Sequence, residues 1–473
     1  MHKIFCIAAG QEQTRKSPNS INKKHLYLNY GLLSLATLLS RRGVPVIQIQ
    51  GNFETPEKIF HECNIEGFSE SSMPIFISIP SFYAVSWVRK FIRLAKQQMP
   101  FRKIIVGGRW VVDGHPELLN DLLVEADLIV DGLAEWRIDE LFNEYVLPHI
   151  RHGITVKTSS LEYSSSHLDY RLLSRRNDYQ PSIEVSRGCG MGCNFCQEKN
   201  EPLSKLKTAD KTISELREIL ISDEYGTMTP YFEASVFAPS KTWAQNLQIG
   251  FEKEDFKVGW RTEARVDSIT PSSLSILANT GLKVLDLGLE SASQVQLMRM
   301  QKTKDPVRYL KKASNLLKSA RLNNIKVKVN ILLFAGETNE TFSETLDWLE
   351  KHRDCIFGVS VGPAMVFGWE CNSSEYMKEL TSYGASVCSS SEIIGVRELN
   401  LSKEFDAGAA QEISRKASKS FMNADQYFFL KSFSYLPRSY TYKDFINEID
   451  CDNDVYSFDV SGVNFEKKLL NCI

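Results

Sequence analysis

Short apolar stretches alternate with amphipathic helical patterns along most of this chain, and no other feature of the sequence constrains the fold as strongly. In the first 150 residues the helical patterns include one at 30–43 that ends on a glycine. The strands predicted between the helices lie at 4–9, 44–50, 75–79, 103–106 and 127–130. Short strands that are apolar throughout and separated by helices are typical of a parallel sheet covered on both faces. We therefore predict a doubly wound, Rossmann-like α/β domain at 1–150, which binds ligands beyond the carboxyl ends of its strands.

A second α/β series follows a polar, serine-rich stretch at 151–180, which is interpreted as an interdomain linker. Six predicted strands alternate with helical patterns and indicate a complete or partial (β/α)6 barrel at 181–368, with the reactive site at the carboxyl ends of its strands. These strands are predicted at 182–185, 231–237, 256–262, 283–289, 326–333 and 358–361. The remaining residues, 369–473, are predicted to form a small α-rich extension whose aromatic run at 427–445 contacts substrate or builds a small core.

Composition excludes several classes of protein. Lys and Arg number 56 against 58 for Asp and Glu, so no overall positive field attracts nucleic acid or an anionic membrane. No apolar run approaches the ~18 residues that a membrane-spanning helix needs, and the run at 4–9 is too short for a signal-peptide core. The expectation is a cytoplasmic protein without nucleic-acid or membrane partners, whose ten cysteines are reduced thiols.

Three of those cysteines, Cys189, Cys193 and Cys196, lie within eight residues directly after the first strand of the second series. Glycines between them allow a short loop to curl so that the thiolates converge and backbone amides bond to the sulfurs. A zinc site would need a fourth ligand from a distant residue such as His167. A cubane iron–sulfur cluster normally takes four cysteines, so three ligands would leave one iron open and reactive.

With the aromatic Phe195 before its last cysteine, this C-x3-C-x2-C motif resembles that of the radical S-adenosylmethionine (SAM) enzymes. The resemblance implies that Cys189, Cys193 and Cys196 hold a [4Fe–4S] cluster whose open iron binds the amino and carboxylate groups of SAM. It also implies that an electron from the cluster cleaves the sulfonium to methionine and a 5′-deoxyadenosyl radical. A reducing partner such as flavodoxin or ferredoxin is implied as well.

Later segments resemble the SAM-binding segments of the same family across about 180–365. The resemblance places Arg265 at the SAM carboxylate, Glu290 and Ser291 at the ribose or amino group, and Asn330 beside the adenine. Taken singly, Arg265 and Glu290 would fit a salt bridge at the barrel mouth equally well. Glu233 is the candidate for the SAM amino group, although its segment departs from the family's Gly-Gly-Glu pattern.

The first domain resembles the cobalamin-binding domain that precedes many radical SAM barrels. The resemblance implies that Gly107 and Gly108 allow a large ligand to approach, and that Ser78 and Ser81 bind its nucleotide tail. Ordinary turn glycines of an α/β fold would give the same pattern. The loop after the first strand lacks the D-x-H-x-x-G motif that supplies a lower cobalt ligand, and His115 is interpreted as surface sequence. The sequence therefore identifies no axial ligand for a bound cobalamin.

The leading hypothesis is a radical SAM enzyme that uses a [4Fe–4S] cluster, SAM and cobalamin to methylate an unactivated carbon of a small-molecule or peptide substrate. In that reaction one SAM recharges methylcobalamin and another generates the radical. One alternative omits cobalamin and leaves a radical rearrangement or cyclisation. Another, from a different class, is a non-catalytic iron–sulfur or zinc-binding regulator, for which a basic DNA-reading surface or a fourth local ligand would be expected.

Overall fold

The computed structural model describes residues 3–11, 19–109, 116–150, 168–221, 226–368, 375–388, 393–453 and 455–471. The chain divides into two compact units. The first unit comprises 1–18, 25–179 and 393–395, and the second comprises 19–24, 180–392 and 396–473. Of the predicted linker residues that the structure describes, 168–179 belong to the first unit and residue 180 to the second. The residues after 368 form no unit of their own, because 393–395 fall in the first unit and the others in the second unit together with the predicted barrel.

The first unit is built on a five-stranded parallel sheet in the order β2-β1-β3-β4-β5. Its strands are β1 (Ile4–Ala8), β2 (Val46–Gln50), β3 (Ile75–Ser78), β4 (Ile104–Gly107) and β5 (Leu128–Ile129). The sheet is covered because its side chains are apolar on both faces; Ile4 and Phe76, for example, are buried in one cluster with Leu35 of the first helix. In this order β2 lies on one side of β1 and β3 on the other, so the strand order reverses between β1 and β3. Doubly wound sheets bind ligands at such a switch point, at the carboxyl ends of the strands.

Helices flank this sheet at α1 (Tyr30–Arg41), α2 (Pro56–Ile65), α3 (Val85–Gln98), α4 (Pro116–Leu122) and α5 (Ile138–Leu141). The side chain of Asn29 caps α1 by accepting a hydrogen bond from the Leu32 amide at 3.0 Å. The helical segment around α5 changes type along its length: a 3-10 turn precedes α5, and a π-helix at Phe142–Val146 follows it. α2 and α4 were not predicted, since only a narrow stripe of α2, such as Ile59 and Phe60, is apolar and buried.

The second unit contains a six-stranded parallel sheet in the order β11-β10-β9-β8-β7-β6. Its strands are β6 (Ser182–Glu184), β7 (Tyr231–Glu233), β8 (Trp260–Arg265), β9 (Leu282–Glu290), β10 (Lys326–Leu333) and β11 (Gly358–Pro363). Its helices are α6 (Ala209–Leu220), α7 (Lys241–Glu254), α8 (Pro271–Asn279), α9 (Gln294–Arg299), α10 (Pro306–Leu322) and α11 (Asn339–Lys351). Since β6 and β11 are the two edges, the barrel is partial. The predicted fold class, a doubly wound domain followed by a partial (β/α)6 barrel, is confirmed.

Alternation along the strands separates the packing face of the barrel from its functional face. On β10, Val327 and Val329 are buried, whereas Lys328 and Asn330 alternate with them and are less buried. The strand predicted at 256–262 was placed too early, because Phe256 belongs to the end of α7: its amide bonds the Phe251 carbonyl at 3.0 Å. This bond closes the helix, so β8 begins only at Trp260.

A three-stranded antiparallel sheet in the order β12-β14-β13, which the sequence did not reveal, crosses the predicted boundary at residue 368. β12 (Met365–Phe367) precedes the boundary, whereas β13 (Ser386–Val387) and β14 (Val396–Asn400) lie in the predicted α-rich extension. The helices of the extension are α12 (Glu375–Ser382), α13 (Ala407–Ser420), α14 (Ala424–Ser432), α15 (Tyr442–Glu448) and α16 (Val463–Asn471). Within the aromatic run, Tyr427 and Phe445 stack with centroids 6.0 Å apart and join a buried cluster with Phe458. Part of the run therefore forms a small core.

Among the helices that the structure describes, none combines the length and the apolar character needed to cross a membrane.

Candidate functional site

The cysteine loop follows β6, and its glycines are required by its shape. Gly188, Gly190 and Gly192 have φ angles of +77°, +62° and +73°, which side chains other than glycine rarely adopt. A Cβ at Gly188 would lie 2.3 Å from the carbonyl oxygen of Pro202. The loop therefore packs tightly against its own return segment at Pro202.

All three cysteine sulfurs have hydrogen-bond donors. The backbone amides of Met191 and Glu198 bond the sulfurs of Cys189 and Cys196, respectively. Burial is the main effect on these two thiols and raises the pKa of both above the ordinary value. The third thiol, Cys193, is 4% exposed and accepts a hydrogen bond from Nη1 of Arg265 at 3.0 Å.

The three cysteines line one cavity of about 170 Å³. Four other predicted site residues also line it: Phe195, Arg265, Glu290 and Asn330. Further lining residues, which the sequence analysis did not select, are Lys199, Ser235, Val236, Glu263, Ala264, Asp286, Gly288 and Lys302. Loops and strand ends from β6 to β10 thus place the predicted cluster ligands and most predicted SAM contacts around a single space.

The three thiols line the same cavity. Among the residues that the structure describes, no three His, Cys, Asp or Glu side chains lie close enough together to share a single metal ion. An iron–sulfur cluster instead binds its cysteines at different irons. Three thiols on one cavity wall, with donors aimed at their sulfurs, fit such a cluster. The proposed zinc ligand His167 lies outside the described residues.

Glu290 is held in a strained conformation beside this wall. Its φ of +69° lies in the left-handed region, which costs an L-residue about 1–2 kcal/mol. The pairing of β9 with β10 shifts register at this point, so that Ile331 lies opposite Glu290. Oε1 of Glu290 accepts a hydrogen bond from Nζ of Lys302 at 3.0 Å, and both side chains are largely buried. Strain of this kind is typical of functional sites.

Lys302 is a site residue that sequence reasoning missed. Its Nζ lies 5.8 Å from the centroid of the Phe195 ring, and its backbone carbonyl accepts a hydrogen bond from Arg265. The residue follows a six-residue helix and matches no motif, so no local pattern indicated its role. Only the folding of this segment back over β9 brings the ammonium to Glu290.

Two predicted SAM contacts do not line the cavity. Ser291 is 2% exposed, and its hydroxyl lies 3.1 Å from Oγ1 of Thr345 on α11. Glu233 accepts a hydrogen bond from the Ser182 hydroxyl at 2.9 Å. Burial, and then the negative charge of Glu263, raise the pKa of Glu233 to about 8. The carboxyl of Glu233 is thus mainly protonated near neutral pH.

A buried charge network lies next to the cavity. Arg261 forms an ion pair with Asp286, whose other oxygen lies 2.8 Å from Nζ of Lys328. The Arg261 guanidinium also lies 4.4 Å from the centroid of the Tyr435 ring. Arg261 and Asp286 have side-chain exposures of 1% and 0%. The network ties β8, β9 and β10 together at the barrel interior.

The end of α12 supports the cysteine loop from outside the strand series. Nδ2 of Asn194 donates a hydrogen bond to Oε1 of Glu379 at 2.7 Å, and the Asn194 amide donates to the Met300 carbonyl at 3.0 Å. Part of the segment after residue 368 therefore positions the cysteine loop.

In the first unit, the predicted serines lie at the crevice between β1 and β3. The hydroxyl of Ser78 accepts a hydrogen bond from Nδ2 of Asn29 at 2.9 Å, and that of Ser81 accepts from Nε2 of Gln11 at 3.2 Å. Gln11 follows β1, and both serines lie at or just beyond the end of β3. The hydroxyls therefore sit where a doubly wound sheet binds its ligand.

The two predicted glycines differ in what their surroundings require. Gly108 has a φ of +112°, and a Cβ there would lie 2.6 Å from the backbone nitrogen and oxygen of Ile79. Its lack of a side chain is explained by packing within the protein. At Gly107 a Cβ would lie 3.5 Å from its nearest neighbour, which is an ordinary contact. His115 lies outside the described residues.

Comparison with known proteins identifies the barrel. Residues 183–349 match the model of the Radical SAM superfamily, which confirms the resemblance seen in the cysteine motif. An uncharacterized methyltransferase of Pyrococcus horikoshii is 22% identical over 172 residues, which is 36% of each chain. The chain thus spans only about a third of that relative's length.

Two solved structures are similar in fold. One is the cobalamin-dependent SAM radical enzyme OxsB with aqua-cobalamin and SAM bound, at a TM-score of 0.57 and 17% identity; the match covers 81% of this chain and 55% of OxsB. The other is the radical SAM methyltransferase TsrM from Kitasatospora setae with tryptophan substrate and a SAM analogue, at a TM-score of 0.60 and 14% identity. That match covers 99% of this chain and 95% of TsrM, so the fold likeness spans both units.

Proposed function

Because residues 183–349 form a radical SAM domain, we propose that this chain is a radical SAM enzyme that methylates an unactivated carbon with the help of cobalamin. The observation that carries the proposal is the shared cavity: Cys189, Cys193 and Cys196 line it together with Glu290 and other predicted SAM contacts. When bound, the cluster and SAM supply a 5′-deoxyadenosyl radical, and cobalamin supplies a methyl carrier.

In this proposal the residues of the barrel bind and orient the cluster and SAM, and they exclude water from the site. The three thiolates hold the cluster, and the amides of Met191 and Glu198 support two of them. The charged pair of Glu290 and Lys302 presents one carboxylate and one ammonium, which match the amino and carboxylate groups of SAM.

Two further cavity residues complete the proposed SAM site. Asn330 lines the cavity from β10, and in this proposal its side-chain amide bonds the purine edge of SAM, while Phe195 supplies an apolar wall. Fixed partners of this kind reduce the reorganisation that binding requires.

The cobalamin part of the proposal is supported by the first unit. Its strand order opens a crevice at β1 and β3, where Ser78 and Ser81 present hydroxyls, and its fold is similar to proteins whose structures hold cobalamin. The alternative, a radical rearrangement or cyclisation without cobalamin, is favoured by Gly108, since internal packing accounts for this glycine without a ligand.

The proposal extends to location and partners. Each of the cysteines that the structure describes is a free thiol, which agrees with a reducing, cytoplasmic environment. A flavodoxin or ferredoxin would supply the electron, and the substrate would be a small molecule or peptide. The near balance of charges, 56 against 58, supports a chain without a nucleic-acid partner.

The test is anaerobic reconstitution of the full chain with iron, sulfide and hydroxocobalamin, followed by desalting and incubation with SAM and dithionite. The proposal predicts retained cobalamin near one per chain, 5′-deoxyadenosine from radical cleavage, and S-adenosylhomocysteine from loss of the SAM methyl group. 5′-Deoxyadenosine without retained cobalamin or S-adenosylhomocysteine would instead establish the cobalamin-free alternative. If neither product forms in a protein that holds its cluster, the enzyme assignment is wrong.

A further inference from the structure

Arg265 lies against the most buried of the three cysteines. Its Nη1 donates a hydrogen bond to Sγ of Cys193 at 3.0 Å, and the two residues are 8% and 4% exposed. Arg265 is the last residue of β8, so the strand itself fixes its backbone.

The remaining donors of this guanidinium are also engaged. Nε donates to Oδ1 of Asp267 at 3.0 Å, and Nη2 donates to the backbone carbonyl of Lys302 at 2.8 Å. A second, longer contact joins Nη2 to Oδ2 of Asp267 at 3.4 Å. Three fixed partners on three nitrogens hold the guanidinium in one orientation, with Nη1 directed at sulfur.

We infer that Arg265 is a positioning residue that sets the reduction potential of the cluster through Cys193, rather than mainly a ligand of the SAM carboxylate. The inference rests on the proposed function, since it requires a cluster on the three cysteines. On this inference, Lys302 and Glu290 provide the charges that face SAM, and Arg265 does not.

The physical reason is the change of charge on reduction. A cluster that gains an electron becomes more negative, and hydrogen bonds to its sulfurs are among the factors that set its potential. A cationic donor on a cysteine sulfur stabilises the reduced form more than the oxidised form, and the effect is strong where water is excluded. Asp267 opposes it, because a carboxylate 3.0 Å from the guanidinium offsets part of its charge. Arg265 and Asp267 should therefore shift the potential in opposite directions.

The test is a redox titration of the reconstituted full chain without SAM, in which electron paramagnetic resonance follows the reduced cluster and iron and sulfide are quantified. Arg265→Met should lower the equilibrium constant for reduction of the cluster about tenfold, so that its reduction potential falls by about 59 mV for one electron. Arg265→Lys should fall between Arg265→Met and the wild type, and Asp267→Asn should raise the potential. Arg321→Met is the matched control, because this exposed arginine pairs with Asp354 at 3.3 Å far from any cysteine of the loop in sequence.

The outcomes separate this inference from the proposed function. A wild-type chain that binds no cluster defeats the proposed function itself. A cluster whose midpoint is the same in the wild type, Arg265→Met and Asp267→Asn overturns the inference; weaker SAM binding by Arg265→Met alone would then return Arg265 to the SAM carboxylate. If Arg265→Met fails to hold a cluster, Arg265→Lys and Asp267→Asn decide. Arg265→Lys keeps the charge but loses the fixed hydrogen bond to Cys193 and should lower the midpoint, whereas Asp267→Asn removes the opposing charge and should raise it; unchanged midpoints in both overturn the inference.

Discussion

The ion pair between Lys302 and Glu290 gives the sharpest prediction about the stability of the site. The two side chains are 4% and 14% exposed, and their charged atoms lie 3.0 Å apart. Replacing Lys302 by Met leaves a buried carboxylate without its cation, and breaking a buried pair in this way typically costs about 3–5 kcal/mol. Glu290 is also held at a φ of +69°, so the ion pair is one of the contacts that offset this strain.

The assay is hydrogen exchange of peptides from β9, which reports the free energy of opening of that strand even in a chain with two units. Lys302→Met should lower this free energy by about 3–5 kcal/mol. The double variant Lys302→Met/Glu290→Gln should lose less, since it removes both charges, and the difference measures the coupling between the two residues.

An exposed ion pair provides the matched control. Lys378 and Glu375 lie 2.6 Å apart with side-chain exposures of 69% and 89%, and exposed pairs contribute only about 0–1 kcal/mol. Lys378→Met should therefore leave exchange in β9 unchanged. A Lys302→Met variant that costs no more than this control, with no coupling to Glu290, would refute the reasoning.

Three further predictions follow from backbone geometry and burial. Gly108→Ala should destabilise the first unit by about 2 kcal/mol or more in urea unfolding, whereas Gly132→Ala should cost less, because both have positive φ but only a Cβ at 108 meets other atoms within 4 Å. Burial raises the pKa of Glu337 from 4.5 to about 7, so the folded chain binds this proton more tightly and stability falls as pH rises from 4.5 to 7. In the wild type this should lower the free energy of unfolding by up to about 3 kcal/mol between pH 5 and 8, and Glu337→Gln should abolish that decrease, as measured by urea unfolding at both pH values. Equal pH profiles for variant and wild type would contradict this. Asp286→Asn should cost about 3 kcal/mol or more in β9 exchange, because it leaves the buried Arg261 without its counter-charge.

The sequence predicted the parallel sheets because short apolar stretches alternate with helical patterns along both units. β10 was placed with its observed bounds, and β1 within one residue. The strand predicted at 256–262 was displaced, since Phe256 is apolar but packs edge-on against Phe251 at the end of α7. β13 is only two residues long, which is too short for any periodic pattern to emerge.

The sequence predicted those residues of the candidate site that belong to a recognisable motif. The cysteines of the loop, Glu290 and Asn330 were predicted in this way, and all of them line the cavity. Lys302 and Asp286 could not be found in this way, because tertiary packing and strand register bring them to the cavity from segments without a motif. Ser291 shows the converse: it belongs to a motif, yet it packs against Thr345 on α11 rather than lining the cavity.

Electron paramagnetic resonance of the dithionite-reduced, reconstituted chain shows whether Cys189, Cys193 and Cys196 hold a cluster whose open iron binds SAM. The wild type should give a [4Fe–4S] signal that changes when SAM is added. A variant with Cys355, Cys388 and Cys451 changed to alanine should behave in the same way, because these thiols do not line the cavity. The variant with all three loop cysteines changed to alanine should give no signal. A full signal in the loop variant, or a wild-type signal that does not respond to SAM, would contradict the account.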